Sequence, residues 1–427
     1  MSLFSETTSL DEIQILTRSS LDNTAILKEA SVAAAISKYL GTIKNNELLD
    51  DINKWRQVFS FSSFYGHRLG KNISVVGDLR TEGFDLFCTD NEGVLKNSVT
   101  DQSAHERVIN AKNRKRPIVA LFGGSTMMGQ GSRLPDFTIP SLVEKILEKK
   151  FNLKSTCINF GVGAWMCSDS LHLLIHEVLP LKPDIVIFYD GWNCCSHLTQ
   201  NEKIRMYKRS LGRFPLPFIG TQTRHMENDI TLSTQYDWLS LAIRAIKLAI
   251  NNCFVIASSL ITFSLFKRGA NSIIRRFFSP RASNVFQQLI SKITLTNDQI
   301  ELLCKKASLE YARIQNIAAS ICKINDIKFI NAFQPLVFFG KKKLTSNETE
   351  WRENGFSSGD PRLFHGFYLE VSQLANLNTA RPYFYDLTDV FDHIDDEVYI
   401  DSGHLNRYGN YLVAERLAEV IQESLDN

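Results

Sequence analysis

Three mostly apolar runs, each followed by a glycine-bearing loop, organise the middle of the chain: Ile118–Phe122, which is unbroken, Thr156–Phe160, which Asn159 interrupts, and Ile185–Tyr189. A strand buried on both faces of a parallel sheet reads as such a run, whereas a half-exposed strand alternates. Between the first two runs, Thr138–Phe151 places Ile139, Leu142, Val143, Ile146 and Leu147 at helical spacing. Ser168–Leu179 predicts a second helix before the third run. This βα alternation predicts a doubly wound α/β domain, with the loops after the strand ends free for chemistry.

The flanking segments differ. Residues 1–56 predict a helical N-terminal extension, with Ala30-Ser-Val-Ala-Ala-Ala-Ile36 at its centre. Residues 57–116 form a lead-in of short aromatic, glycine-punctuated pieces, expected to be irregular or β and packed on the main domain at 117–427. At its end, Asn110-Ala-Lys-Asn-Arg-Lys-Arg116 is expected to be a solvated basic loop rather than a nucleic-acid arm. Further on, Thr296-Asn-Asp-Gln299 has the spacing of a capping box and opens a helix to about Ile324. Lys328–Ile330 and Phe384–Tyr385 predict more strands, and Leu405–Leu425 a closing amphipathic helix. No internal repeat is present.

Residues 238–297 stand apart as a helical insertion. They contain no Asp or Glu, yet carry Arg244, Lys247, Lys267, Arg268, Arg275, Arg276, Arg281 and Lys292. Leu248–Phe266 is free of charge and near the length that spans a bilayer, but holds Asn251, Asn252 and several hydroxyl side chains. Two main readings stay open: a basic amphipathic element lying on a membrane surface or an anionic substrate, or a helical hairpin packed on the core. A true span is the third.

Composition adds limits. Over 427 residues, 44% hydrophobic and 22% charged content allows an ordinary soluble core. A net charge of +2 gives no overall attraction to nucleic acid, and none is expected as a partner. The eight cysteines show no metal-binding spacing, so free thiols in a reducing compartment are expected, with no metal and no cofactor. The start of the chain lacks a basic n-region and an apolar h-region, so a cleaved secretory signal is not expected. The expected place is the cytoplasm, with peripheral contact at the inner face of a membrane as the open alternative.

Candidate chemistry lies at the strand ends. Ser125 follows Gly123-Gly124 directly after the first apolar run, where a sharp turn would raise its hydroxyl above the sheet. The motif is neither a P-loop nor Gly-x-Ser-x-Gly, because no Lys follows and Met127 takes the final glycine position. A serine hydroxyl needs an adjacent base. His404 is the best candidate, and Asp401, three residues before it, could fix its tautomer. The second run leads into Asn159-Phe-Gly-Val-Gly-Ala164, a glycine turn with backbone donors. The third ends in Tyr189-Asp-Gly-Trp-Asn193, whose Asn193 amide could bind a carbonyl oxygen or cap a turn.

Taken in chain order, these pieces resemble the SGNH (GDSL-like) hydrolase superfamily. Gly123-Gly-Ser-Thr126 resembles its first block, Asn159–Ala164 the second, Gly191-Trp-Asn193 the third and Asp401-Ser-Gly-His404 the fifth. The resemblance implies a three-layer α/β/α, flavodoxin-like, mostly parallel sheet. It also implies metal-free ester hydrolysis or acyl transfer. Ser125 would be the nucleophile, His404 the base and Asp401 its orienter. The oxyanion donors would be the Ser125 N–H, a second-block N–H from Gly163 or Ala164, and the Asn193 side chain. Three positions depart from the pattern: Gly124 stands where Asp is usual, Ala164 where Gly is usual, and Cys194 where Asp often follows the Asn. The lead-in from Phe64-Tyr-Gly-His-Arg-Leu-Gly70 to Thr89-Asp-Asn-Glu-Gly93 is similar to that of bacterial polysaccharide-cluster members. The substrate expected is therefore an acylated carbohydrate or lipid. An O-acyltransferase using the same site, or a binding protein with a degraded site, is the alternative.

Overall fold

The computed structural model describes residues 9–11, 14, 58–62, 66–76, 86–199, 295–354, 360–377 and 383–426. Apart from 9–11, 14 and 295–297, the expected N-terminal extension and the 238–297 insertion lie outside them. Contacts divide the chain into two compact units, Met1–Thr199 with Glu301–Asn427, and Gln200–Ile300. In the second unit, Thr296 and Gln299 make the expected capping box: Thr296 N–H donates to Gln299 Oε1 (3.0 Å) and Gln299 N–H to Thr296 Oγ1 (3.3 Å).

The first unit is built on five parallel strands: β5 (Ile118–Gly123), β6 (Thr156–Gly161), β7 (Ile185–Asp190), β8 (Lys328–Phe333) and β9 (Phe384–Asp386). Their order across the sheet is β6-β5-β7-β8-β9. Numbered within the sheet this is 2-1-3-4-5, the flavodoxin-like order, whose switch point lies beside the first strand. Every residue of β5, β6 and β7 is buried, which is why their sequences are mostly apolar, with Thr156, Asn159 and Asp190 the buried polar exceptions.

The pleat sorts these strands into two unlike faces. Val119, Leu121, Ile185, Ile187 and Ile330 point to an aliphatic core shared with α3 (Ile139–Phe151) and α9 (Arg407–Asp426). The opposite face carries an aromatic row, Phe160, Phe122, Phe188 and Phe329, with successive ring centroids 5.1–5.2 Å apart. Phe333 continues this face against Tyr311 of α6 (Asn297–Ile324) and Tyr368 of α8 (Pro361–Leu377). The layers are therefore α/β/α. No helix among the described residues is long and apolar enough to cross a membrane.

The lead-in contains two antiparallel pairs, β1 (Phe59–Ser62) with β2 (Gly66–Leu69), and β3 (Ser74–Val76) with β4 (Leu86–Cys88). Beyond them, an antiparallel bridge from Leu95 to Asn159 covers the outer edge of β6, which leaves fewer open backbone groups there.

The structure departs from the sequence expectations in several places. The basic segment at 110–116 is not all loop, since α1 (Ala104–Asn113) runs through its first half. Ser103 and Glu106 form a capping box that starts this helix, a signal present in the sequence but overshadowed by the charges that follow. Strand β8 extends to Phe333 rather than Ile330 because polar Asn331 is buried and receives the Tyr311 hydroxyl (2.8 Å). The helix expected at Ser168–Leu179 is α4 (Cys167–Leu173), followed by a π-turn (Leu174–Val178) and a 3-10 turn (Leu179–Leu181). The last helix starts at Arg407, not Leu405, because Asn406 caps it by accepting the Gly409 N–H (2.9 Å). The helix α7 (Ser346–Asn354) and α8 were not expected at all.

Candidate functional site

The turn after β5 delivers Ser125 to the first position of the short helix α2 (Ser125–Met128). No side chain caps this helix at Gly124, so its first N–H groups are left for another partner. The helix sits directly on β6. A methyl group at position 161 would lie 2.3 Å from Met128 N, so only glycine fits there.

The Asp401–His404 loop is closed by other means. Tyr399 and Leu405 form an antiparallel bridge, and Ile400 N–H donates to His404 O (3.0 Å). Asp401 Oδ1 accepts the N–H groups of Gly403 (2.8 Å) and His404 (2.7 Å). Asp401 Oδ2 accepts from His404 Nδ1 (2.6 Å). A carboxylate only accepts, so Nδ1 carries the proton and Nε2 presents its lone pair. That lone pair meets the Ser125 hydroxyl at 2.6 Å, across 279 residues of sequence. Burial pushes the Asp401 carboxyl up. The His404 charge, the His404 side-chain bond and the two backbone N–H donors outweigh it and hold the group at about 2.

A buried carboxylate anchors this loop from behind. Glu348 on α7 is fully buried; its Oε1 accepts the N–H groups of Val398 (2.9 Å) and Tyr399 (3.2 Å). Its Oε2 accepts from Lys342 Nζ (2.8 Å) and Thr345 N–H (3.0 Å). Burial works against ionisation here too, but Lys342 and these N–H groups keep the pKa below the usual carboxylate range.

Asn193 lies in helix α5 (residues 192–199), just past the end of β7. Its Nδ2 donates one hydrogen to Trp165 O (2.8 Å), and an amide nitrogen has a second to offer. A methyl group at position 124 would lie 2.3 Å from that nitrogen. The residue that departs from the family pattern at Gly124 is thus a glycine because Asn193 fills the space of its missing side chain. Cys194 is also accounted for. It is fully buried, accepts the Cys167 N–H through Sγ (3.3 Å) and keeps its thiol un-ionised by burial.

Ser125, His404 and Asn193, together with Gly124, Thr126, Trp192, Gln334 and Gly403, line one cleft. Asp401 stands behind His404. The expected donors Gly163 and Ala164 do not line this cleft. Ala164 adopts a left-handed conformation (φ 63°), and the turn meets the cleft region through Trp165, whose carbonyl Asn193 binds. Among the described residues, nothing accepts a hydrogen bond from the Gly163 or Ala164 N–H. The lead-in clamps this turn, with His67 Nε2 bonded to Gly163 O (2.9 Å) and Trp165 Nε1 donating to His67 O (3.1 Å).

Sequence reasoning missed Gln334, Glu348 and His67. Each is a single polar residue in an unremarkable context, and only the fold brings it to the site.

No family model matches the chain, and no curated protein matches it. Solved structures do. The chain is similar to the acetyl xylan esterase AlAXEase, with 14% identity over 71% of this chain and 99% of that one, and a TM-score of 0.36. It is similar to the lipase Lip_vut3 from a goat rumen metagenome, with 12% identity over 71% of this chain and 97% of that one, and a TM-score of 0.35. A GDSL-like lipase from Bacteroides thetaiotaomicron matches at 9% identity over 75% of this chain and 98% of that one, with a TM-score of 0.33. Strand order, the chain order of the site residues and their places at the strand ends give this protein the fold of the SGNH (GDSL-like) hydrolases.

Proposed function

We propose that the protein is a metal-independent serine ester hydrolase that removes an acyl group through an acyl-serine intermediate. The observation that carries this reading is the continuous hydrogen-bonded series Ser125–His404–Asp401, with 2.6 Å at both links. In the first step Ser125 Oγ attacks the ester carbonyl while His404 Nε2 takes its proton. Asp401 stabilises the imidazolium and does not itself become protonated. The oxyanion is held by the Ser125 N–H and the second Asn193 amide hydrogen. The unengaged N–H groups of Gly163 and Ala164 are the remaining candidate donors. His404 then returns the proton to the leaving alkoxide. Water, deprotonated by His404, attacks the acyl-serine; His404 then gives that proton to the departing Ser125 Oγ, which releases the acid and free Ser125.

The Trp192 ring lies against Gly403 and closes one wall of the cleft beside Ser125 and His404, which favours a short acyl group such as acetyl. The lead-in resemblance favours a carbohydrate or lipid-linked carrier for it. The test is covalent labelling by a fluorophosphonate, with Ser125→Ala as control. Labelling of the parent alone is expected, followed by faster turnover of p-nitrophenyl acetate than of long-chain esters. No labelling between about pH 6 and 9, around the ordinary histidine range, would leave the protein a non-catalytic binder.

A further inference from the structure

We infer that Gln334 is the positioning residue that keeps nucleophile, base and oxyanion donor in register, an assignment that rests on the serine hydrolase reading of the site. Gln334 follows the last residue of β8 and is almost fully buried, at 6% exposure. Its backbone N–H donates to Asp190 O (3.1 Å), which fixes it to the end of β7. Its side chain then makes three contacts. Nε2 donates to Thr126 Oγ1 (3.0 Å) and to Gly403 O (3.2 Å), and Oε1 accepts the Trp192 N–H (3.4 Å).

Each partner is the chain neighbour of one site residue. Thr126 follows Ser125, Gly403 precedes His404 and Trp192 precedes Asn193. The three blocks come from distant parts of the sequence, and this one amide touches all of them. Thr126 Oγ1 also donates to Gly403 O (3.4 Å), closing a triangle between the serine turn, the histidine loop and the amide. The orientation of the amide is determined: the reverse would set Oε1 against the Gly403 carbonyl oxygen. A side chain of the same length without N–H groups would leave the Gly403 carbonyl without this partner in a mostly closed site, and one without the oxygen would do the same to the Trp192 N–H. Gln334 acts only through its neighbours, so its loss changes the placement of Ser125 and His404 and not their chemistry.

The test uses the full chain with Gln334→Leu and Gln334→Glu. Three quantities are measured: the thermal midpoint, the fluorophosphonate labelling rate, and the low-field proton resonance of the His404–Asp401 hydrogen bond. Both variants are expected to fold and to label about 10- to 100-fold more slowly, the scale of a small misplacement of reacting groups. The low-field resonance is expected to shift or broaden. A purely structural role would lower the midpoint and leave the resonance and the rate of the folded fraction unchanged, and that result overturns the inference. If neither variant folds, Thr126→Val decides, since it removes one corner of the triangle. Unchanged labelling and resonance in Thr126→Val overturn the inference as well. If the parent protein never labels but its resonance responds to Gln334→Leu, the positioning role stands and the hydrolase reading falls.

Discussion

The two halves of the site are held by different physics. The serine turn is fixed by backbone packing: α2 lies on Gly161, Asn193 occupies the space at Gly124, and residues 124–130 carry no charge. The histidine loop is fixed by ions: Asp401 binds two backbone N–H groups and the imidazole, and Glu348 with Lys342 anchors Val398 and Tyr399. Steric support resists changes of pH but tolerates no added atom. Ionic support tolerates changes of shape but fails when a charge is lost.

The largest test of this contrast is Glu348→Gln. It leaves Lys342, 5% exposed, without its anion. Breaking a buried pair from one side costs about 3–5 kcal/mol. Chemical denaturation is expected to show that loss, together with faster amide exchange at 397–405 and little change at 123–131. Gly161→Ala inverts the pattern. Its methyl group has no room beside Met128 N, and overpacking of this kind costs about 1–3 kcal/mol. Exchange is then expected to rise at 123–131, with labelling of Ser125 lost.

Gly124→Ala separates geometry from stability. The atom it strikes is the end of the Asn193 side chain, which can swing away. The fold is expected to keep its thermal midpoint, while labelling falls about 10²–10³-fold, as for loss of an oxyanion donor. Combining it with Asn193→Ala is expected to add little. A strictly additive double variant would show that Gly124 and Asn193 act separately.

Acid reads out the ionic half alone. Glu348 and Asp401 both titrate below their ordinary values, Asp401 at about 2. A carboxylate with a lowered folded pKa contributes stability above its unfolded value, near 4.3 for Glu and 3.9 for Asp, and loses it as pH falls through the folded value. Protection at 397–405 is therefore expected to fade before that at 123–131 as pH drops from about 5 toward 2. Asp190 gives a pH effect of the opposite sign. Burial, then Asp169, raises its pKa well above the usual range. Its contribution is full below about 3.9 and is lost as pH rises toward the folded value. Asp190→Asn is expected to match the parent at pH 4 and exceed it in urea midpoint at pH 8.

What could be read beforehand followed from burial on both faces. The strands β5, β6 and β7 are mostly apolar runs, and Ser125, Asn193, Asp401 and His404 stand beyond strand ends or near the C-terminal helix in an informative chain order. The structure brings those four side chains to one place. What escaped reading depends on satisfaction at a distance. Asn331 made β8 look short because its partner, Tyr311, is on another element. Glu348 sits in a polar helix, Ser346–Asn354, that gives no hint of a buried anion. Gln334 is one amide after a strand, and its three partners are scattered across the sequence. Gly163 and Ala164 lie on a turn whose N–H groups have no acceptor among the described residues, and neither residue lines the cleft.

The 279-residue separation of Ser125 and His404 also sets a schedule. During synthesis the serine turn, the glycine turn and Asn193 all emerge long before the base. Closing so long a loop carries a conformational cost that packing of α9 against α3 helps to offset. A nascent chain bearing Ser125 therefore has no activating base until residues 401–426 have been made and docked. On the hydrolase reading, the hydroxyl stays chemically quiet until that segment is in place.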